Sequence, residues 1–152
     1  MNIKSKQKRV HKKSFLRKAK DCIRKYLSCV IIPSIPFNGL RIVLYRRCGY
    51  NIGKNVFIGM HCYLDDLEPS KLKIEDDVVI SYGVYFACHS PKQPRTSITI
   101  KKGAYLGMRT SVVSGKTGVI IGENAVIGAC SLVLKNVPDF TTVGGIPART
   151  IE

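Results

Sequence analysis

The sequence repeats one pattern four times: IGKNVFIGMHCYL at residues 52–64, IEDDVVISYGVYF at 74–86, IKKGAYLGMRTSV at 100–112 and IGENAVIGACSLV at 121–133. In each segment a large apolar residue returns at every sixth position, and all twelve such positions are apolar. A period of six fits neither an α-helix, with about 3.6 residues per turn, nor a pleated strand, which alternates every two. Hexapeptide repeats instead predict a parallel β-helix.

The other positions of each six-residue unit agree with this fold. If every unit is a short strand followed by a corner, three units close one triangular coil of about 18 residues, and the leading residues stack inside the prism. The second residue is often glycine, which accepts backbone angles that other residues resist. The fifth is often small or β-branched, as a crowded corner requires: Val56, Cys62, Val78, Val84, Ala104, Thr110, Ala125 and Ser131. We therefore predict a mainly β fold of about four coils.

The spacing between the four segments indicates where loops leave the prism. The segments begin at positions 52, 74, 100 and 121, so successive coils contain 22, 26 and 21 residues rather than 18. The longest excess lies in HSPKQPRTSIT, residues 89–99. Long loops on a rigid scaffold often carry function.

Positive charge is concentrated at the start of the chain. The 152 residues carry a net charge of +15, and residues 1–30 hold eleven Lys or Arg against one acidic residue, Asp21. Residues 1–47 are expected to form a basic tail with helices, and residues 48–152 the β-helix domain. No nucleic-acid-binding motif follows the basic run, so a nucleic-acid partner is not expected.

The basic tail has the spacing of an amphipathic helix. From Ser14, which is placed to cap the helix, apolar residues recur at steps of three or four: Phe15, Ala19, Cys22, Ile23, Tyr26 and Val30. Such a helix either lies on an anionic membrane surface or packs its apolar stripe on the end of the β-helix, and the two are compatible.

The segment after the tail, CVIIPSIPF at 29–37, is too short to span a bilayer, which requires roughly 20 residues. No secretory signal precedes it, so we expect a cytoplasmic protein, held by residues 1–30 at the inner face of the membrane. A second helix is predicted from about Asn38 to Arg47, ending at Gly49.

Cysteine and histidine residues suggest no metal site. None of the six cysteines forms a CxxC pair, so reduced thiols are expected. Cys88 precedes His89, but neighbouring residues of a strand point to opposite faces, which disfavours a Cys–His couple. His61 and His89 belong to different units of their coils and should lie on different sides of the prism. A zinc site with three histidines, as in γ-type carbonic anhydrases, is therefore not expected.

Two stretches resemble a known family, the hexapeptide-repeat acyltransferases with a left-handed parallel β-helix. The ending IGENAVIGACSLVLKNVPDFTTVGGIPARTI is similar to the family's last coil and its Gly-x-Pro-Ala-Lys/Arg segment. The front, LRIVLYRRCGYNIGKNVFIG, resembles the polysaccharide O-acetyltransferase branch. The resemblance implies a homotrimer with acetyl-CoA in a groove between neighbouring prisms.

The resemblance also implies site residues. The stretch ACHSP puts His89 at the place of the family's catalytic histidine, which would deprotonate the acceptor hydroxyl. The acidic pair after Leu64 makes Asp66 a candidate for binding acceptor hydroxyls. The family's acceptor-site Asn has no match here, which disfavours simple maltose or galactoside acetylation. Positions that match the acetyl-CoA groove are Met108, Ala129, Lys135 and Arg149, of which the two cations suit nucleotide phosphates.

The sequence therefore predicts an acetyl-CoA-dependent O-acetyltransferase without a metal. Its expected acceptor is a sugar or saccharide, in bacterial capsule, lipopolysaccharide or exopolysaccharide assembly. A serine acetyltransferase-like enzyme and an amino-sugar N-acetyltransferase are variants of this prediction. An alternative of another class is a trimeric β-helix scaffold without catalytic activity.

Overall fold

The computed structural model describes residues 15–89 and 95–151, with side chains from residue 18 onward. Ser14, the expected helix cap, and residues 90–94 of the long loop lie outside these ranges. Helix α1 spans Phe15–Tyr26 and continues through a π-helical turn, Leu27–Ile31, into the short α2, Ile32–Ser34. Helix α3 spans Asn38–Arg47, which confirms the predicted second helix.

Thirteen short strands follow within the described residues, interrupted by one 3₁₀ turn at Pro69–Lys71. Each strand has two or three residues, because the chain turns a corner after every unit. The strands are β1 Asn51–Ile52, β2 Phe57–Ile58, β3 Leu72–Ile74, β4 Val79–Ile80, β5 Tyr85–Ala87, β6 Ile98–Ile100, β7 Tyr105–Leu106, β8 Ser111–Val113, β9 Val119–Ile121, β10 Val126–Ile127, β11 Leu132–Val133, β12 Thr142–Gly144 and β13 Arg149–Thr150.

The strands stack into three parallel sheets that form the faces of a prism. The first face has the order β1-β3-β6-β9, the second β2-β4-β7-β10-β12, and the third β5-β8-β11. On the third face, Tyr63 pairs with Tyr85 and adds the first coil. Strand β13 pairs antiparallel with β12 and closes the C-terminal end. The predicted parallel β-helix is confirmed.

The leading residues of the six-residue units form the core. Ile52, Ile74, Ile100 and Ile121 occupy successive rungs of the first face, in register. All twelve leading residues are buried, and the most exposed of them is Ile52, at 7%. The eight small fifth residues predicted for the corners are buried as well. Stacked apolar side chains at a fixed spacing thus exclude water along the whole prism.

A partial fifth coil extends the four predicted from the repeat. Val137 bridges to Ile121 on the first face, and Val143 pairs with Ile127 on the second. Both valines are buried. Their spacing is again six residues, so the repeat continues past Val133.

The corners show why certain unit positions are restricted. Left-handed backbone conformations fall on the fourth residue of the units in the first two corners of each coil: Asn55, His61, Asp77, Gly83, Gly103, Arg109, Asn124 and Cys130. Glycine is needed at the second place of the units for a different reason from the one expected. Gly53 and Gly107 do not have positive φ; instead, a Cβ added at Gly107 would lie 2.5 Å from the nitrogen of Ala129 in the next coil. These glycines therefore permit close stacking.

Side chains from the helical segment and the loop after it cap the open edge of the first coil on all three faces. Asn38 bonds to the main chain of Val56 and Ile58, and the buried Arg41 donates to the oxygens of Ile58 and Ile35. Arg46 donates to the oxygen of Ile52 at 3.0 Å. The hydroxyl of Tyr50 donates to the oxygen of Leu64 at 2.9 Å. These bonds satisfy edge groups that would otherwise invite pairing with another strand.

The N-terminal helix leaves much of its predicted apolar stripe uncovered. Ile23 is 60% exposed, Tyr26 58% and Val30 47%, whereas Ser28 and Ile32 are buried and attach the segment to the prism. Among the described residues, no helix has both the length and the apolar character needed to cross a bilayer.

Candidate active site

An imidazole and a buried carboxylate meet at the third corner of the prism, where the third face turns toward the first. His89 lies two residues after the end of β5, and Asp65 lies one coil earlier, at the position that matches Ala87, the last residue of β5. Nδ1 of His89 lies 2.5 Å from Oδ2 of Asp65. The side chain of Asp65 is 1% exposed, while that of His89 is 36% exposed. A buried acid therefore holds a histidine that can meet solvent or substrate.

Two main-chain amides fix Asp65 in place. The N–H of Cys88 donates to Oδ2 at 2.7 Å, and the N–H of Leu67 donates to Oδ1 at 3.0 Å. These bonds hold the carboxylate in one orientation, with Oδ2 facing His89. It can then accept the Nδ1–H of His89, which leaves the Nε2 lone pair to act as base, and stabilise the imidazolium that forms. The pair has the geometry of a general base with its orienting acid.

The thiol of Cys88 is unsuited to nucleophilic chemistry. Its side chain is buried, and this burial, together with the nearby Asp65 carboxylate, raises the pKa of Cys88 to about 12. The reactive form of cysteine is the thiolate, which such a pKa suppresses at neutral pH. Cys88 contributes its main-chain amide to the corner, where it donates to the carboxylate of Asp65.

Asp66, the expected acceptor-binding residue, is engaged by the chain itself. Its Oδ1 accepts a 2.6 Å bond from the hydroxyl of Tyr63, and its Oδ2 lies 3.2 Å from Nζ of Lys25. Burial opposes its ionisation, but the bonds from Tyr63 and Lys25 outweigh burial and lower the pKa of Asp66. Arg24 also donates to its main-chain oxygen at 3.0 Å. Asp66 thus ties α1 to the third corner.

The second histidine of the repeat lies on another corner, as predicted. His61 has a φ of +56°, is exposed, and packs edge-on against Tyr82 with ring centroids 5.3 Å apart. Its N–H donates to the oxygen of Pro33 at 2.9 Å. Across residues 15–89 and 95–151, no group of three or more His, Cys, Asp or Glu side chains is arranged to hold a metal ion.

The four residues matched to the acetyl-CoA groove form two pairs. Lys135 and Arg149 line one pocket of about 390 Å³ at the C-terminal end of the prism. Met108 and Ala129, both exposed, follow β7 and β10 at the second corner in adjacent coils. Neither Met108 nor Ala129 shares a corner with His89. The second corner, with Met108 and Ala129, and the third corner, with His89, are separated by one face of six residues. That face is at most about 20 Å long.

Sequence reasoning did not identify Asp65; it named the neighbouring Asp66, for a different role, the binding of acceptor hydroxyls. A usable signal was present, because Asp65 is a carboxylate directly after the leading residue Leu64 and lies 24 residues before His89, about one coil. Adjacent carboxylates on a corner point in different directions, and only the fold shows that Asp65 turns inward.

Fold and site together define a parallel β-helix protein with a solvent-accessible histidine held by a buried aspartate at one corner. Residues 97–134 match the family described as the hexapeptide repeat of succinyl-transferase. The structure is similar to that of the hexapeptide-repeat acetyltransferase VCA0836 from Vibrio cholerae, solved with acetyl-CoA. The TM-score is 0.71 and the identity 24%, over 91% of this chain and 90% of that one.

Two relatives from Bacillus subtilis share sequence with this chain. YvoF, which carries a provisional name as an acetyltransferase, is 28% identical over 133 residues, 85% of this chain and 76% of YvoF. Serine acetyltransferase is 32% identical over 119 residues, 76% of this chain and 49% of that enzyme. The chain thus spans about three quarters of the first relative and about half of the second. The chain is thus similar to the hexapeptide-repeat acyltransferases in its repeat sequence, over residues 97–134, and in its fold.

Proposed function

We propose that this protein transfers the acetyl group of acetyl-CoA to a hydroxyl group of a saccharide, with His89 as the general base. The observation that carries the proposal is the 2.5 Å contact between His89 and the buried Asp65. Nε2 of His89 takes the proton of the acceptor hydroxyl while the oxygen of that hydroxyl attacks the thioester carbon. The carbon–sulfur bond then breaks, and the imidazolium returns the proton to the leaving thiolate. The products are an acetyl ester and CoA with a free thiol.

The remaining site residues fit acetyl-CoA as the donor. Lys135 and Arg149 place two cations in one pocket, which suits the phosphates of the nucleotide. Met108 and Ala129 expose a corner to which a pantetheine arm could bind through main-chain groups. Bound acetyl-CoA would supply the activated acyl group, and the chain would position it against the hydroxyl.

An aromatic pair next to the dyad favours a saccharide as the acceptor. Tyr63 and Tyr85 are stacked with ring centroids 4.4 Å apart, and Tyr85 is 47% exposed. Tyr85 lies in β5, directly before the corner with His89. Exposed aromatic faces beside a few fixed polar groups are typical of small-molecule sites, and the apolar face of a sugar ring fits them. This supports a saccharide as the acceptor.

A serine acetyltransferase-like activity is the second candidate, because a serine acetyltransferase is among the relatives. The same dyad would then deprotonate the hydroxyl of serine. Amino-sugar N-acetylation and a scaffold without catalysis are the further alternatives.

One assay separates these candidates. Release of free thiol from acetyl-CoA is measured with a panel of saccharides, amino sugars and L-serine, for the wild type and for His89→Ala. Saccharide-dependent release that the variant lacks would support the proposal. Release with L-serine alone would favour the second candidate. Equal, slow rates for both proteins, with no binding of CoA by calorimetry, would leave the scaffold.

A homotrimer is part of the proposal, because Met108, Ala129 and His89 occupy different corners of one chain. The outward residues of the second face support self-association: Phe57, Val79, Tyr105 and Val126 form an apolar row in register. The first face presents Asn51, Lys73, Thr99 and Ile120 in the same positions, so only the last of its four outward residues is apolar. Contiguous exposed apolar surface indicates a contact with another protein. Sedimentation velocity should show a trimer for the wild type and for Thr99→Lys. The Val126→Lys variant should sediment as dissociated subunits.

We also propose that residues 1–30 hold the protein at an anionic membrane surface. The exposed Ile23 and Tyr26 of α1, beside Lys20 and Arg24, support this. Sedimentation with phosphatidylglycerol vesicles should fall when residues 1–30 are removed. Unchanged sedimentation would remove the membrane from the proposal.

A further inference from the structure

A second cavity lies between α1 and α3, away from the pocket lined by Lys135 and Arg149. Its volume is about 450 Å³, within the usual range for small-molecule sites. Its apolar lining comes from α1, the π-helical turn, α2 and α3: Ile23, Leu27, Ile31, Ile32 and Leu44. Ile23, Leu27 and Ile31 are 60%, 38% and 42% exposed, so apolar side chains face the open groove. A ligand with a hydrocarbon portion would remove this surface from water.

The same groove carries an excess of positive charge. Lys20, Arg24 and Arg47 line it, together with the acidic Asp21. Apolar walls with cations beside them complement an amphiphile whose head group is an anion. Arginine in particular recognises phosphate through paired N–H donors. The lining therefore matches the chemistry of a hydrocarbon chain attached to phosphate.

Arg24 connects this groove to the third corner. Its side chain lines the groove, and its Nη1 donates to the main-chain oxygen of Asp66 at 3.0 Å. Asp66 is adjacent in sequence to Asp65, which holds His89. A phosphate at Arg24 would therefore lie beside the loop that carries the dyad.

We infer that the groove binds the hydrocarbon chain of a phosphate-bearing lipid, and that the acceptor saccharide is carried on this lipid. The inference deepens the proposed function and rests on it for the reaction. The chain lies along Ile23, Leu27 and Ile31, and the phosphate lies near Arg24. The saccharide beyond the phosphate then extends toward His89. The substrate class is a lipid-linked saccharide phosphate.

A binding experiment tests the groove without any reaction. Dodecyl phosphate, below its micelle concentration, is titrated into the full chain by calorimetry, with dodecyltrimethylammonium and inorganic phosphate as comparison ligands. Dodecyl phosphate should bind at least about tenfold more tightly than either, since only it matches both the apolar lining and the cations. Equal affinity for the anionic and cationic amphiphiles would overturn the inference.

The chain offers a matched pair of variants for this titration. Ile31 lines the groove and Val30 does not, yet they are neighbours with 42% and 47% exposure. Ile31→Asp should weaken dodecyl phosphate binding at least about tenfold, whereas Val30→Asp should change it less than about twofold. Circular dichroism checks that both variants fold. If Ile31→Asp changed the oligomeric state and left the binding intact, the groove would be a subunit contact and the inference would fail.

An activity experiment tests the substrate class. The best saccharide of the thiol-release panel is supplied as its 1-phosphate and as the dodecyl phosphodiester of that compound. The dodecyl compound should have at least about tenfold higher kcat/KM, and Ile31→Asp should abolish this advantage while the rate with the short compound stays unchanged. Equal kcat/KM for the two compounds would overturn the inference and leave the proposed function standing. If the wild type acetylated no acceptor while dodecyl phosphate still bound, the proposed function would fail, together with the assignment of the lipid as acceptor carrier.

Discussion

The second and third corners each carry a histidine at the fourth place of a six-residue unit, but the two side chains have different surroundings. His61 has a left-handed backbone, an exposed ring and an aromatic neighbour, Tyr82. His89 has a buried carboxylate 2.5 Å from Nδ1. The repeat places both histidines on corners. What separates them is Asp65, so the proposed role of His89 depends on a residue from the preceding coil.

Removal of each imidazole gives the largest contrast. His89→Ala should lower kcat/KM for acetyl transfer by about 10²–10⁴, the usual contribution of a general base. His61→Ala should change it by less than about twofold, because the described neighbour of that ring is Tyr82, which cannot orient it as a carboxylate would. Thiol release at saturating acetyl-CoA measures both. Comparable losses in the two variants would contradict the assignment of His89 as the base.

Removal of the acid tests what distinguishes the corners. Asp65→Asn should lower kcat by on the order of a hundredfold, inside the range of general-base contributions, because the ring loses its orienting carboxylate. The KM for acetyl-CoA should stay within about twofold, since Asp65 lies away from Met108, Ala129, Lys135 and Arg149. A variant that lost acetyl-CoA affinity and retained kcat would show a purely structural role.

The Cys88 thiol, next to His89, should contribute little to the rate of acetyl transfer. The difference between the two corners would then depend on the imidazole of His89 and not on this thiol. Cys88→Ser should reduce the rate of acetyl transfer by less than about threefold, because burial raises the pKa of Cys88 to about 12 and leaves almost no thiolate. Iodoacetamide should modify Cys88 far more slowly than the exposed Cys22 and Cys130. Mass spectrometry after timed labelling measures these rates, and rapid loss of activity on labelling of Cys88 would contradict the expectation.

Both corners are also tied to the N-terminal helices, His61 through Pro33 and Asp66 through Lys25. Asp66→Asn should weaken the docking of α1 by about 0.5 kcal/mol, because Lys25 is partly exposed and the pair is screened. Since the pKa of Asp66 is lowered in the folded state, its contribution is present above the ordinary value of 3.8 and is lost as the pH falls below it.

Hydrogen exchange of residues 18–26 measures this effect. At neutral pH the variant should exchange about twofold faster than the wild type, and the difference should shrink as the pH falls below 3.8 and through the lowered pKa of Asp66. Glu68→Gln is the control, because it removes a carboxylate near the same corner that pairs with Arg95, away from α1. Equal acceleration in both variants would show that the Lys25–Asp66 pair has no specific role.

The sequence could predict the prism because the signal is periodic. A leading apolar residue every six positions fixes which side chains point inward, so Ile58, Ile80 and Leu106 were assignable without coordinates. The repeat also placed His61 and His89 on different corners. Capping of the first coil by Arg41 and Tyr50 was not visible in the sequence, since neither residue follows the period. The role of the glycines at the second place of the units was not visible in the sequence either, because it depends on the spacing between coils.

Local pattern thus determined the fold and the position of His89, because each depends on residues close together in the chain. Tertiary structure alone decided which of two adjacent carboxylates faces that histidine. Asp65 and Asp66 differ by one position, and the turn after the coil directs the first inward to the amide of Cys88 and the second outward to Lys25. The cavity between α1 and α3 also depends on tertiary structure alone, because its size is set by the distance between the two helices at the end of the prism.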